Sequence, residues 1–125
     1  MTPQSIRVSD AELSVLEVLW KDGPATIRHL ADQLYDDGTT ANYATVQKLL
    51  ERLESKGCVS RDRTAFAHVF AAKIERSALI GQGLQEMAER LCGGSLTPLL
   101  THLAEKARLS KRDRELIRKM IDETP

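Results

Sequence analysis

The chain has 125 residues, 42% hydrophobic but only 4% aromatic, with 18 basic and 18 acidic side chains. That length suits one domain, or one compact domain with an appendage, and the core must be aliphatic. No apolar run approaches the 18 or so residues of a membrane span, so no membrane insertion is expected.

The opening MTPQSIRVSD lacks the apolar stretch of a secretory signal, which points to the cytoplasm. Zero net charge does not announce a nucleic-acid partner, yet the charge is unevenly placed. Residues 1–41 carry three basic and seven acidic side chains, residues 42–70 five and three, and residues 71–125 ten and eight. The middle excess is mild support for DNA binding.

Ser9-Asp10-Ala11-Glu12 reads as a capping box, with Val8 and Leu13 placed as a hydrophobic staple. Leu13, Leu16 and Trp20, with Val15 and Leu19 beside them, make a helical stripe over residues 10–21 until Asp22-Gly23-Pro24 breaks it. A second helix is expected over about 26–36, with Ile27, Leu30, Ala31 and Leu34 inward. Asp36-Asp37-Gly38 would end it, and Thr39, Thr40 or Asn42 would cap a third.

That third helix, NYATVQKLLERLESKG over 42–57, is the most informative stretch. Val46, Leu49, Leu50 and Leu53 fall at i, i+3, i+4, i+7 and form one apolar stripe. Ala44, Thr45, Gln47, Lys48 and Arg52 occupy the opposite face, small or hydrogen-bonding first and basic further along. Such a helix can press one side into a core and offer the other to a major groove. Gly57 closes it as a C′ residue. A short basic hairpin is expected next, with strands at 58–61 and 65–71 and with Arg61, Asp62, Arg63 and Thr64 at or beside its tip. In the second strand Phe66, His68 and Phe70 alternate against Ala67 and Val69.

Three further amphipathic helices follow. Residues 75–92 place Ile80, Leu84, Met87 and Leu91 on one face, despite the helix-weakening Gly81 and Gly83. After Cys92-Gly93-Gly94, Ser95 caps a helix with Pro98 in its first turn and Leu96, Leu99, Leu100 and Leu103 along one side. Ser110 and Asp113 open a last helix striped by Leu116, Ile117, Met120 and Ile121. These stripes could pack back on the first domain, but two copies interleaving them would bury far more. The expected fold is mainly α with a small β-hairpin. A winged helix-turn-helix domain takes residues 1–73 and a helical dimerisation domain takes residues 74–125.

No enzyme signature stands out. Gly81-Gln82-Gly83 lacks the strand and third glycine of a phosphate loop, and His29, His68 and His102 belong to no ligand motif. Cys58 and Cys92 read as buried or idle thiols. No catalytic residue, metal ligand or cofactor is expected.

Three strings in this order, SDAELSVLEVLW (9–20), YATVQKLLERLESKG (43–57) and GGSLTPLLTHLAEKARLS (93–110), resemble the penicillinase-repressor family, the BlaI/MecI/CopY group of bacterial transcriptional regulators. The resemblance spans about residues 8–122. It implies a homodimer that represses transcription from a palindromic double-stranded operator. In the family's best-known branch this controls β-lactam resistance, and a sensor-linked protease relieves it. Carried over, the recognition helix falls on Asn42 to Lys56, with Tyr43, Thr45, Gln47 and Lys48 at the groove and Arg52 beside a phosphate. The family's wing falls on residues 58–71. Its common glycine-plus-arginine tip is replaced here by Asp62-Arg63-Thr64-Ala65, leaving Arg61 and Arg63 as the wing's DNA contacts. The family's cleaved Asn-Phe bond aligns with His102-Leu103. The paired CxC motifs of the copper-responsive branch are absent. The rival expectation is a winged-helix protein-interaction module that binds no operator.

Overall fold

Ser9 and Glu12 cap each other as expected. The Ser9 hydroxyl accepts from the Glu12 N–H at 3.2 Å, and the Glu12 carboxylate accepts from the Ser9 N–H at 3.4 Å. This box opens α1 (Asp10–Asp22), which Gly23 ends with φ 83°, a left-handed conformation that favours glycine. The computed structural model describes residues 6–35, 40–106 and 108–123. The elements after α1 are β1 (Ala25–Thr26), α2 (Ile27–Leu34), α3 (Thr40–Ser55), β2 (Val59–Asp62), β3 (Val69–Ala72), α4 (Arg76–Cys92), α5 (Thr97–Glu105) and α6 (Lys111–Glu123).

Several boundaries differ from the sequence expectation, each for a local reason. The second helix starts after Thr26, because that side chain is its N-cap, accepting from the His29 N–H at 3.2 Å. Its expected stop at Asp36-Asp37-Gly38 and the Thr39 cap lie outside the described residues, whereas Thr40 and Asn42 lie within α3. Ser95 is not the N-cap of α5: Leu96 holds that position without a side-chain bond, and Ser95 instead accepts the Thr97 N–H at 3.2 Å. Ser110 and Asp113 bond reciprocally at the start of α6.

Gly57, at φ 76°, closes α3 in a Schellman arrangement. The Gly57 N–H donates to the Glu54 carbonyl and the Cys58 N–H to the Leu53 carbonyl. Both Leu53 and Cys58 are buried. The turn delivers the chain at once into β2.

The sheet has three antiparallel strands in the order β1-β3-β2. Ala25 and Thr26 pair with Phe70 and Val69, so a two-residue strand that periodicity could not reveal closes the far edge of β3. The hairpin's second strand is shorter than expected, Val69–Ala72 rather than 65–71. Phe70 is buried as the alternation requires, but Phe66 is fully exposed and His68 half-buried. Residues 65–68 cannot share a strand face with Phe70, because they belong to the loop.

The chain divides into two compact units, Met1–Gln82 and Gly83–Pro125. In the first, Val15, Leu16, Leu19, Leu30, Ala31, Val46, Leu49, Leu50 and Leu53 from three helices meet Ala25, Cys58, Val59 and Phe70. This unit runs past Lys73, where the sequence reading places the boundary. Ile74 and Leu79 pack on its core, the Trp20 indole N–H donates to the Ile74 carbonyl at 2.9 Å, and the Ile6 N–H donates to Gln82 Oε1 at 3.1 Å. Trp20 is thus a strut between α1 and the segment entering α4.

The second unit is built very differently. No described residue of α5 or α6 is buried, and in α4 only Ala88 is. Leu84, Met87, Leu91, Leu96, Leu100, Leu103, Leu116, Ile117 and Met120 are all between 40% and 65% exposed, and Leu99 is half-buried. Ile80, in the first unit, is 56% exposed.

Candidate nucleic-acid interface

The two sides of α3 have opposite fates. Val46, Leu49, Leu50 and Leu53 are buried, whereas Tyr43, Ala44, Thr45, Gln47, Lys48 and Arg52 are exposed and Asn42 is half-buried. Core packing of the apolar stripe fixes which way the helix is rotated, and so which side chains meet solvent. The 16-residue helix is about 24 Å long. The Thr45 hydroxyl donates to the Ala41 carbonyl at 2.9 Å, which leaves its oxygen lone pairs and methyl to face outward. The first two turns therefore carry a phenol, an amide and a hydroxyl acceptor. Lys48 and Arg52, one turn apart, add two cations. Those are the donor and acceptor types that read base edges and phosphates.

Arg61 and Arg63 sit in unlike surroundings. Arg63 is exposed in the hairpin loop. Arg61 lies on β2 directly opposite Phe70, with its guanidinium 4.7 Å from the ring centroid, and its Nη2 donates to Glu54 Oε1 at 3.1 Å. Its side chain is only 16% exposed. The residue thereby ties the base of the wing to the last turn of α3. Arg61→Ala should cost roughly 1–2 kcal/mol through lost stacking, ion pairing and stem packing. Its effect on DNA binding should leave the salt dependence unchanged, whereas loss of a phosphate contact would flatten the slope of log K against log salt by about 1. Thermal melts and salt titrations of this variant separate the two roles.

The wing's first corner is an Asx turn. Asp62 Oδ1 accepts from the Thr64 N–H at 2.9 Å and the Thr64 hydroxyl at 2.6 Å, and these bonds hold the carboxyl below its ordinary value.

A second contact, absent from the sequence reading, anchors the same C-terminal end of the helix to α1. Lys56 Nζ donates to both Glu12 oxygens, at 2.8 and 2.7 Å, and to the Arg7 carbonyl at 2.7 Å. Lys56 is thereby committed to the core side of the domain. The capping box marked Glu12 in the sequence, but nothing in sequence spacing marks a lysine 44 residues away as its partner.

Among the described residues, no three His, Cys, Asp or Glu side chains group to hold a metal. Cys58 is buried, and burial pushes its thiol above the ordinary range, away from the reactive thiolate. No described helix is long and apolar enough to cross a membrane.

Three helices, a three-stranded sheet with a protruding hairpin, and a helical C-terminal unit define a winged helix-turn-helix regulator. The penicillinase repressor family model matches residues 8–123, and the chain belongs to that family of bacterial transcriptional repressors. It is 25% identical over 117 residues to the penicillinase repressor of Bacillus licheniformis, covering 94% of this chain and 91% of that one. It is 30% identical over 109 residues to the transcriptional regulator BlaI of Mycobacterium tuberculosis H37Rv, covering 86% and 78%.

Proposed function

We propose that this repressor acts in the cytoplasm as a homodimer, each subunit seating α3 in a major groove of one half of a palindromic operator. The observation that carries this reading is the outward face of α3, where every chemistry-bearing side chain from Tyr43 to Arg52 is exposed or half-buried behind a fully packed apolar stripe. Tyr43, Thr45 and Gln47, with Asn42 and Ala44, lie against base edges. Lys48 reads a base or adjoining phosphate, Arg52 takes a phosphate, and Arg63 serves the wing.

The homodimer rests on the second unit, in which Ala88 is the one buried residue among those described. So small a helical unit gains stability by burying its stripes in a second copy. Ile80, Leu84, Met87, Leu91, Leu96, Leu99, Leu100, Leu103, Leu116, Ile117 and Met120 form that interface.

The name of the Bacillus relative supports assigning the regulated genes to β-lactam resistance or a related stress response. Relief by a sensor-linked protease would cut α5 at His102-Leu103, where both residues are exposed. That cut parts Leu96, Leu99 and Leu100 from Leu103 and the α6 stripe, and splits the core of the dimer.

Lys48→Ala and Arg52→Ala test the reader helix, because both side chains are exposed and their loss should not unfold the domain. Lys48→Ala should cost about 1–3 kcal/mol of binding and relax base preference at one position if it reads a base. Arg52→Ala should weaken all sequences alike and flatten the salt slope by about 1. Anisotropy titrations against a duplex selected from a random pool measure both. Unchanged binding in both variants would remove α3 as the reader and favour a protein-interaction module.

A further inference from the structure

Phe66 stands in the wing loop with its whole side chain in water, 109% exposed, while Phe70 four residues later is buried at 1%. An aromatic ring so placed adds nothing to the folded monomer, and its exposure is the opposite of what strand alternation predicts. Its neighbours leave it room: Ala65 and Ala67 are exposed and small, so the backbone on either side can come close to a surface. One cation stands close to it in sequence. Arg63 is exposed three residues earlier, and the Asp62 carboxylate is turned into the loop by its two bonds from Thr64.

The base of the loop is fixed to the proposed reader helix by the Arg61–Glu54 pair and by Arg61 stacked on Phe70. Phe66 is four residues from Phe70, the partner of Arg61, so its backbone stands at most about 14 Å from the hairpin's base and the ring extends that further. Neighbouring major and minor grooves of B-DNA lie half of a helical turn apart, about 17 Å. A hairpin anchored beside a helix in one groove therefore has the reach to touch the next.

We propose that Phe66 is a wedge. It enters the minor groove flanking the one that holds α3, partly unstacks one base step and kinks the duplex, while Arg63 holds the adjacent phosphate or groove floor. This rests on the DNA-binding reading of α3 and adds a specificity element to it. A phenyl ring forms no hydrogen bonds to base edges, so it selects by how easily a step unstacks. Pyrimidine–purine steps, TA and CA/TG, are the ones that yield most readily. The site should therefore favour such a step at the wing position, outside the bases touched by α3.

The test uses the full-length chain and a duplex recovered from a random-sequence pool by repeated selection on it. 2-Aminopurine then replaces each adenine of the recovered site in turn, and end-labelled duplex reports bending by energy transfer. Wild type should brighten 2-aminopurine at one step beside a TA or CA/TG and shorten the end-to-end distance. Phe66→Ala should abolish both signals and weaken binding on the order of tenfold, with unfolding unchanged because the ring has no packing to lose. Phe66→Trp should retain the bend, and its added indole emission should be quenched on binding.

If Phe66→Ala binds and bends the duplex as wild type does, the wedge is overturned and the α3 reading survives. Weaker binding without any loss of unstacking also overturns it, leaving Phe66 a surface contact. Failure of wild type to enrich any duplex would end the DNA-binding reading, and the wedge with it.

Discussion

Removal of residues 83–125 is expected to leave a folded monomer that holds its operator about 10²–10⁴-fold more weakly than the full chain. The first unit has its own core, from Val15 to Phe70, and retains Ile74, Leu79 and Gln82, so residues 1–82 should melt cooperatively. A cut at Lys73 would be a poorer choice, because it strips Ile74 and Leu79 from that core and deprives the Trp20 indole of its acceptor. In the proposed dimer, what would be lost at residue 82 is the link between two half-sites. Once one subunit of that dimer were bound, the second would bind at the high effective concentration the dimer imposes, an advantage the fragment lacks. Sedimentation of both species at micromolar concentration, with anisotropy on the selected duplex, measures the effect. Monomeric full-length protein, or a fragment with undiminished affinity, would refute the dimer.

Loss of the Lys56 ammonium should cost about 2–3 kcal/mol near pH 7, less than a fully buried pair because Lys56 is 35% exposed while Glu12 is only 4%. Burial by itself would raise the Glu12 carboxyl. The Lys56 hydrogen bonds, the two bonds with Ser9 and the Lys56 charge outweigh it and hold the group below its ordinary 4.5. A carboxyl depressed in the folded state contributes stability that is fully present above about pH 4.5 and is lost as pH falls through the folded value. The penalty of Lys56→Ala should therefore shrink in acid, as the orphaned Glu12 takes up a proton. Glu12→Gln should flatten the acid limb of the stability curve, while still able to accept the Ser9 N–H. Urea titrations of the three proteins from neutral pH to below about pH 4 test this. A Lys56→Ala penalty that does not change with pH would mean that the pair contributes nothing.

The Glu12–Lys56 pair fastens α1 to the C-terminal end of α3, and in the proposed dimer the second unit would set how many such helices act together. The first governs whether the proposed reader is held rigidly, the second whether its affinity suffices for occupancy.

The helices were legible because their signals are local. Val46, Leu49, Leu50 and Leu53 announce a helix face by spacing alone, and Ser9 with Glu12, Ser110 with Asp113, and Gly57 mark ends through bonds spanning three to five residues. The outward face of α3 follows from the same periodicity, since burying one side of a helix exposes the other. The unburied stripes of α4, α5 and α6 are likewise written in the chain, because too few apolar partners accompany them. Tertiary structure alone decided three things: that Thr26 and Ala25 complete the sheet against β3, that Arg61 turns toward Glu54 and Phe70, and that Lys56 reaches back to Glu12. It also put Phe66 in water, where alternation would place it with Phe70. Each of these depends on residues brought together from distant positions or on where a loop begins. Periodicity describes one element's faces, and it holds no information about which element those faces will meet.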